Sequence, residues 1–312
     1  MIEVKNLVKR YGNHVAVDHL NFRIEKGHIY GLLGPNGAGK STTMNIMTGY
    51  LGATEGEVLI NGHDILKEPE EAKKCVGYLP EIPPLYMDMT VQEQLMFAAE
   101  LKKVKKQERK EEVKKIMKMV KVYEVKDRLI KNLSKGYRQR VGMAQAVIGF
   151  PEIIILDEPT VGLDPKQIIE IRELIRQLAK EHTVILSSHI LAEIREVCDY
   201  IIIIAKGKLV ANDTPENLEL QFAGDEPTQI ETRLLPEKTE EILSKIPGIT
   251  KVTYLPSDPG ITKAKIETEQ DIDVREEIFH AFAREDCALL SMQRESNTLE
   301  DIFLKLTQEG GR

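Results

Sequence analysis

The chain reads as an α/β protein built around a mainly parallel sheet, followed by a smaller α+β unit. Three observations predict this. Between residues 153 and 204, runs of Ile, Val and Leu four to six residues long alternate with helical segments, as in a sheet covered on both faces. A glycine-rich stretch, Gly34-Pro35-Asn36-Gly37-Ala38-Gly39-Lys40-Ser41-Thr42, joins a short apolar strand to a helix. Beyond residue 224 the order changes to strand, helix, strand, strand, helix, strand.

The elements follow in order. Met1 to Lys5 opens as a strand rather than a signal peptide. Val15–Asp18 and Leu20–Ile24 alternate like half-buried strands, and Glu57–Gly62 ends on an Asn-Gly hairpin signal. His28–Leu33 is a buried strand entering the glycine-rich stretch, and Ser41–Gly49 begins a helix. Residues 80 to about 146 are helical and charged. Within them Lys102–Lys126 reads as a solvated helix pair with Val113, Ile116, Met117 and Val120 at helical spacing. The α/β pattern then returns as strand Ile153–Asp157, helix Lys166–Lys180, strand Thr183–Ser187, helix Ile190–Val197 and strand Tyr200–Ile204. The tail reads strand Gln229–Leu235, helix Pro236–Ile246, strands Thr250–Leu255 and Ala264–Glu269, helix Val274–Ala283 and strand Ala288–Gln293. That is the order of a split βαβ, ferredoxin-like unit. A last helix spans Leu299–Thr307, with Thr298 to Asp301 placed as a capping box. The expected domains are therefore 1–220, with a helical subdomain at about 80–146, and 225–312.

Composition narrows the classes. At 312 residues the prior is about two domains, and 42% apolar content suffices for a sizeable core. Cys75, Cys198 and Cys287 are odd in number and far apart, which fits a reducing compartment and excludes a disulfide framework. No apolar run approaches the roughly 20 residues of a membrane span, so a cytoplasmic chain is expected. The net charge of −7 hides a polarity: Lys102–Arg140 holds 16 Lys/Arg against 5 Asp/Glu, and Asp225–Arg312 holds 11 against 19. A basic segment in an acidic protein could face anionic lipid or nucleic acid; with only Tyr123 and Tyr137 as rings, base stacking is not expected, and a solvated helix pair is the reading preferred.

The glycine-rich stretch matches G-x-x-x-x-G-K-[ST], and its chemistry follows from the residue types. Gly34, Gly37 and Gly39 let successive N–H groups, with those of Asn36 and Thr42, turn toward phosphate oxygens. Lys40 reaches β- and γ-phosphates, and the Ser41 hydroxyl can ligate Mg²⁺. By itself this loop predicts only a nucleoside triphosphate; kinases, GTPases and motor ATPases all remain open. The second motif is Ile153-Ile154-Ile155-Leu156-Asp157-Glu158, a buried strand whose C-terminal end carries two carboxylates. Ligands bind at that end of open α/β sheets. Asp157 is placed to hold Mg²⁺, and Glu158 to orient and polarise an attacking water.

With Leu133-Ser134-Lys135-Gly136-Tyr137 upstream of this strand, the chain resembles the ATPase subunits of ABC-type transporters, whose signature reads L-S-G-G-Q. Lys135 and Tyr137 depart from it. The resemblance implies that Ser134 and the Gly136 backbone contact the γ-phosphate bound by an opposite subunit. It further implies adenine stacking on Tyr11, 29 residues before Lys40, and a dimer-crossing loop at Gly162-Leu163-Asp164-Pro165. His189 resembles the switch histidine near the γ-phosphate; the other six histidines read as ordinary surface residues. Glu81 stands where a Gln is usual and could reach Mg²⁺ or the water.

The resemblance covers residues 1 to about 220. It implies an ATPase that closes as a homodimer, or with a similar subunit, on two ATP-Mg²⁺. It would drive a separate permease from the inner face of the membrane, in the manner of single-domain exporter ATPases. The alternative is a soluble ABC-type ATPase acting on ribosomes or DNA. A second phosphate loop or a sustained heptad run would favour it, and neither is present. A small-molecule kinase would lack a use for the signature segment.

Overall fold

The computed structural model describes residues 1–221, 227–269, 272–294 and 299–309. It falls into two units, Met1–Pro215 with Lys305–Arg312, and Glu216–Leu304. The division follows Pro215; residues 222–226, at the boundary expected between 1–220 and 225–312, lie outside the described residues.

The first unit opens with β1 (Ile2–Tyr11) and β2 (His14–Ile24), an antiparallel hairpin turned at Gly12. The two strands expected over Val15–Ile24 are one: His19 takes a left-handed φ of 53° and the ladder slips in register without ending. β3 (Ile29–Leu33) leads through the glycine-rich loop to α1 (Lys40–Met47). β4 (Glu55–Ile60) and β5 (His63–Asp64) form the expected hairpin, with Asn61 and Gly62 both at positive φ as a two-residue turn requires. α2 (Pro69–Lys74) and β6 (Val76–Leu79) precede the helices α3 (Val91–Leu101), α4 (Arg109–Met119) and α5 (Lys135–Val147). Of the long helix pair expected over Lys102–Lys126, only α4 forms, with a 3-10 turn after it. Lys103 and Lys121, just past the ends of α3 and α4, are left-handed at φ 59° and stop both helices. Val113, Ile116, Met117 and Val120 are buried, as their spacing predicts. Lys102, expected on the solvated face, instead donates from its ammonium to the carbonyls of Ala146 and Ile148 at the end of α5.

β7 (Ile153–Leu156), α6 (Pro165–Leu178), β8 (Thr183–Ser187), α7 (Leu191–Val197), β9 (Tyr200–Ala205), β10 (Lys208–Asp213) and α8 (Pro215–Gln221) follow. The central sheet has the order β10-β9-β3-β8-β7-β6, parallel throughout except for the edge strand β10. Every residue of β3, β7 and β8 is buried, which is why these strands read as unbroken apolar runs. A second, antiparallel sheet has the order β2-β1-β4-β5. The main core joins its Ile2, Val17, Phe22 and Ile60 to Ile153, Ile155, Ile185 and Ile202 of the central sheet, with Met44 and Ile46 of α1. His182, expected at the surface, is 4% exposed: its Nδ1 lies 2.6 Å from the Pro151 carbonyl and its ring stacks on Phe150.

The second unit contains β11 (Thr228–Thr232), α9 (Pro236–Leu243), β12 (Ile249–Leu255), β13 (Thr262–Thr268), α10 (Arg275–Arg284), β14 (Leu289–Arg294) and the start of α11 (Leu299–Glu309). Its antiparallel sheet has the order β12-β13-β11-β14, and the first six elements run β-α-β-β-α-β. Ile230, Ala264 and Ile266 of the sheet meet Ile242, Leu243, Ile278 and Phe282 of the helices in a core of its own. Thr298, the expected cap of the last helix, lies outside the described residues.

Candidate active site

The loop between β3 and α1 is built on three glycines for separate reasons. A Cβ at Gly34 would collide with the Ile204 carbonyl oxygen of β9. One at Gly39 would lie 2.5 Å from the Ala16 oxygen, and Gly39 also sits at φ 104° as the N-cap of α1. Gly37 has open space around it and is set by its φ of 77° alone. Both left-handed conformations suit glycine and cost other residues energy. Thr43 ties the first turn of α1 back to the loop, its hydroxyl donating to the Gly39 carbonyl at 2.8 Å.

Lys40 is 8% exposed. Its ammonium donates to the carbonyls of Gly34 at 2.6 Å and Pro35 at 3.2 Å. Burial pulls its pKa below the usual lysine value, and the carboxylates of Glu158 and Asp157 work against that pull. A largely buried cation facing two carboxylates suits a polyphosphate, which brings more negative charge than the pair of carboxylates supplies.

Those carboxylates lie at the end of β7, next to β8. The parallel register pairs Leu156 with Leu186, so Asp157 and Ser187 come side by side one residue later. The Ser187 hydroxyl donates to Asp157 Oδ1 at 2.6 Å and accepts from the Glu158 backbone N–H at 2.9 Å. Ser187 was not singled out by the sequence, because only strand register gives it a role. Glu158 holds φ 48°, a left-handed conformation rare for its type and worth about 1–3 kcal/mol of strain at a functional site. The turn aims its side chain toward His189, whose Nδ1 lies 2.8 Å from Glu158 Oε2.

These groups share one cleft of about 540 Å³, lined by Tyr11, His14, the loop from Asn36 to Thr42, Glu81, Glu158, Val161 and His189. Of the residues expected from the sequence, the cleft gathers Tyr11, Asn36, Gly37, Gly39, Lys40, Ser41, Thr42, Glu81, Glu158 and His189. Gly34 and Asp157 stand just behind, in contact with Lys40 and with Ser187. Tyr11 is half exposed and presents a ring that Lys9 approaches at 5.4 Å from the centroid. His14 and Val161 line the cleft without having been expected there.

Ser134, Gly136 and Asp164 do not line it. Ser134 is the exposed N-cap of α5, accepting from the Tyr137 N–H at 3.4 Å, and Asp164 caps α6 by accepting from Gln167 N–H at 2.9 Å. A side chain at Gly136 would meet Gln167 at 2.7 Å, so the start of α5 packs against the start of α6. Lys135, the departure from the signature, lies over Gly162 of the same loop.

A family model described as ABC transporter matches residues 17–161. The bacitracin transport ATP-binding protein BcrA of Bacillus licheniformis is 40% identical over 212 residues, 67% of this chain and 68% of its own length. The linearmycin resistance ATP-binding protein LnrL of Bacillus subtilis is 32% identical over 314 residues, 98% of each chain. Among solved structures, a dimeric, post-hydrolysis ATP-binding cassette, MJ0796 bound to ADP and Pi, superposes with a TM-score of 0.62 at 27% identity, covering 69% of this chain and 98% of that one. The chain belongs to the ABC transporter family, as an ATP-binding subunit with the P-loop fold of that family.

Proposed function

We propose that this chain hydrolyses ATP to power a separate membrane-spanning permease. Two copies, or one copy and a similar subunit, close on two ATP molecules and reopen after hydrolysis, and the transport runs outward. The observation that carries this is the split of the motifs. The phosphate loop, Glu158 and His189 share one cleft, whereas the exposed Ser134 and the buried Gly136, packed against Gln167, stand outside it at the start of a helix. A site missing its anion-binding helix end is completed by a second copy, and the dimeric cassette among the structural neighbours supports that arrangement.

Each residue then has a role. Tyr11 stacks on adenine, a contact worth about 1–3 kcal/mol. The N–H groups from Asn36 to Thr42 and the Lys40 ammonium cradle the phosphates. Ser41 and Asp157 would hold Mg²⁺, which would neutralise phosphate charge, and Glu81, which lines the same cleft, would be available to the ion or the water. Glu158 accepts a proton-bearing hydrogen bond from the attacking water, and His189 steadies Glu158 and the γ-phosphate. Asp164 acts at the interface between copies. No described helix is long and apolar enough to cross a membrane; in this reading the permease is another chain, supported by relatives named as ATP-binding proteins for transport and resistance, and this one works at the inner face of the membrane. The relatives named for bacitracin transport and linearmycin resistance support the outward direction. They do not favour an ATPase acting on ribosomes or DNA. The second unit, with its β-α-β-β-α-β order, is an accessory domain of the ferredoxin-like type, within the 225–312 module.

Glu158→Gln tests the reading. It should retain ATP binding, lower turnover at least about a hundredfold, the scale of a lost general base, and accumulate an ATP-bound dimer on size exclusion. Wild-type turnover in that variant would remove Glu158 from its role.

A further inference from the structure

The cleft's two reactive side chains are tied together by a residue that lies outside it. Glu193, in the first turn of α7, is 4% exposed. Its Oε2 accepts from the Thr160 hydroxyl at 2.6 Å and from the Ser188 hydroxyl at 3.3 Å. Its other oxygen lies 3.9 Å from the Arg172 guanidinium, which also pairs with Glu196. Thr160 stands two residues after Glu158, and Ser188 stands immediately before His189. One buried carboxylate therefore bridges the loop that carries Glu158 to the turn that carries His189.

The local geometry is consistent with a latch. The Ser188 hydroxyl accepts from the Ile190 N–H at 3.0 Å while donating to Glu193, so the turn around His189 is held at its base. His189 itself is largely exposed, its side chain at 56%, and its polar contact with the loop is the one to Glu158. The turn is also anchored by the Glu193 and Ile194 N–H groups, which donate to the Ile190 carbonyl at 3.1 and 3.4 Å, and the Ser188 bond to Glu193 ties it to the loop that carries Thr160 and Glu158. Burying a carboxylate is costly, and an apolar group of the same shape would serve stability as well or better. Packing alone does not call for a carboxyl group at this place.

We infer that Glu193 is a positioning residue: by clamping Thr160 to Ser188 it sets the approach of His189 to Glu158 and holds that pair ready for the attacking water. The inference rests on the hydrolytic roles proposed for Glu158 and His189.

The test compares Glu193→Gln, Glu193→Ala, Thr160→Val and the Thr160→Val/Glu193→Ala pair in the full chain. The measurements are kcat by phosphate release, ADP affinity by calorimetry and the melting temperature. Glu193→Ala should lower kcat about tenfold or more, a barrier change of about 1.4 kcal/mol, with ADP affinity within about twofold of wild type. Glu193→Gln, which keeps one acceptor oxygen, and Thr160→Val should fall between. The double variant should be no worse than Glu193→Ala, because both changes break the same bridge. If the alanine variant does not fold, Glu193→Gln and Thr160→Val, alone and combined, carry the same comparison. A kcat within about twofold of wild type in the folded variants, parallel losses of kcat and ADP affinity, or additive effects would each overturn the inference. Glu158→Gln separates the two levels: if it is inactive while the Glu193 variants are normal, only the latch is lost.

Discussion

Lys40 shows how a single residue serves a site at some cost to itself. Its ammonium is desolvated, held by two backbone carbonyls and attracted by Asp157 and Glu158. Each such bond to a charged group is worth about 1.5–3 kcal/mol, and a polyphosphate would take over those bonds with full charge complementarity. Lys40→Ala should therefore weaken ATP binding by roughly 10- to 100-fold. Isothermal titration checks it, and an unchanged affinity would contradict the phosphate-loop assignment. Glu158 and Ser187 make a contrast at the same scale. Glu158 was evident from its place after an apolar strand. Ser187, at the end of another such strand, gains its bonds only from the neighbouring chain segment 30 residues away.

At the scale of the element, the strand–loop–helix from Ile29 to Met47 is shaped by backbone approach more than by side chains. Gly34→Ala drives a methyl group into the β9 carbonyl at Ile204, and no flexible side chain is there to yield. It should destabilise the chain by about 1–3 kcal/mol, the scale of overpacking in a core, and weaken ATP binding as the loop shifts. Gly37→Ala meets nothing within 4 Å and carries only the left-handed backbone penalty, about 1 kcal/mol. Denaturant melts of the two variants should rank them in that order, and equal losses would refute the close-approach argument. The start of α5 is a second informative element. Ser134→Arg removes a weak cap, costing about 1 kcal/mol at most, and fills the space in front of the helix end. Hydrolysis should be blocked while monomer ATP affinity stays within about threefold of wild type. Lost nucleotide binding in the isolated variant would place the segment in the same subunit's site and sink the two-copy model.

For the whole molecule, the two cores are built from separate segments, one around Ile2, Met44 and Ile155 and the other around Ile230 and Phe282. No residue of the second core is needed for the phosphate chemistry. Truncation near Gly224 should leave a folded ATP-binding unit whose hydrolysis changes by less than about tenfold, or 1.4 kcal/mol of barrier. The truncation also removes Lys305–Arg312, which group with the first unit, so the experiment is a demanding one. Thermal melts with and without ATP-Mg²⁺ decide it: an insoluble product, or one that ATP-Mg²⁺ fails to stabilise, would mean that the tail belongs to the catalytic fold.

The sequence by itself determined the family, the phosphate loop, the paired carboxylates and the order of the buried strands. Each of these is a local pattern: glycine spacing, an unbroken apolar run, a charge at a strand end. Edge strand β10 and short strand β6 escaped it, because partial burial and four-residue length leave too few apolar positions to mark a period. His182 looked like a surface residue between a helix and a strand, and only packing against Phe150 and Pro151 took it inside. Above all, the tertiary structure decided which polar side chains meet. Ser187 with Asp157, and Glu193 with Thr160 and Ser188, are partners across strand register and a helix turn. A hydrogen bond needs its atoms within about 3 Å, and no spacing along the chain specifies that distance until the sheet has formed.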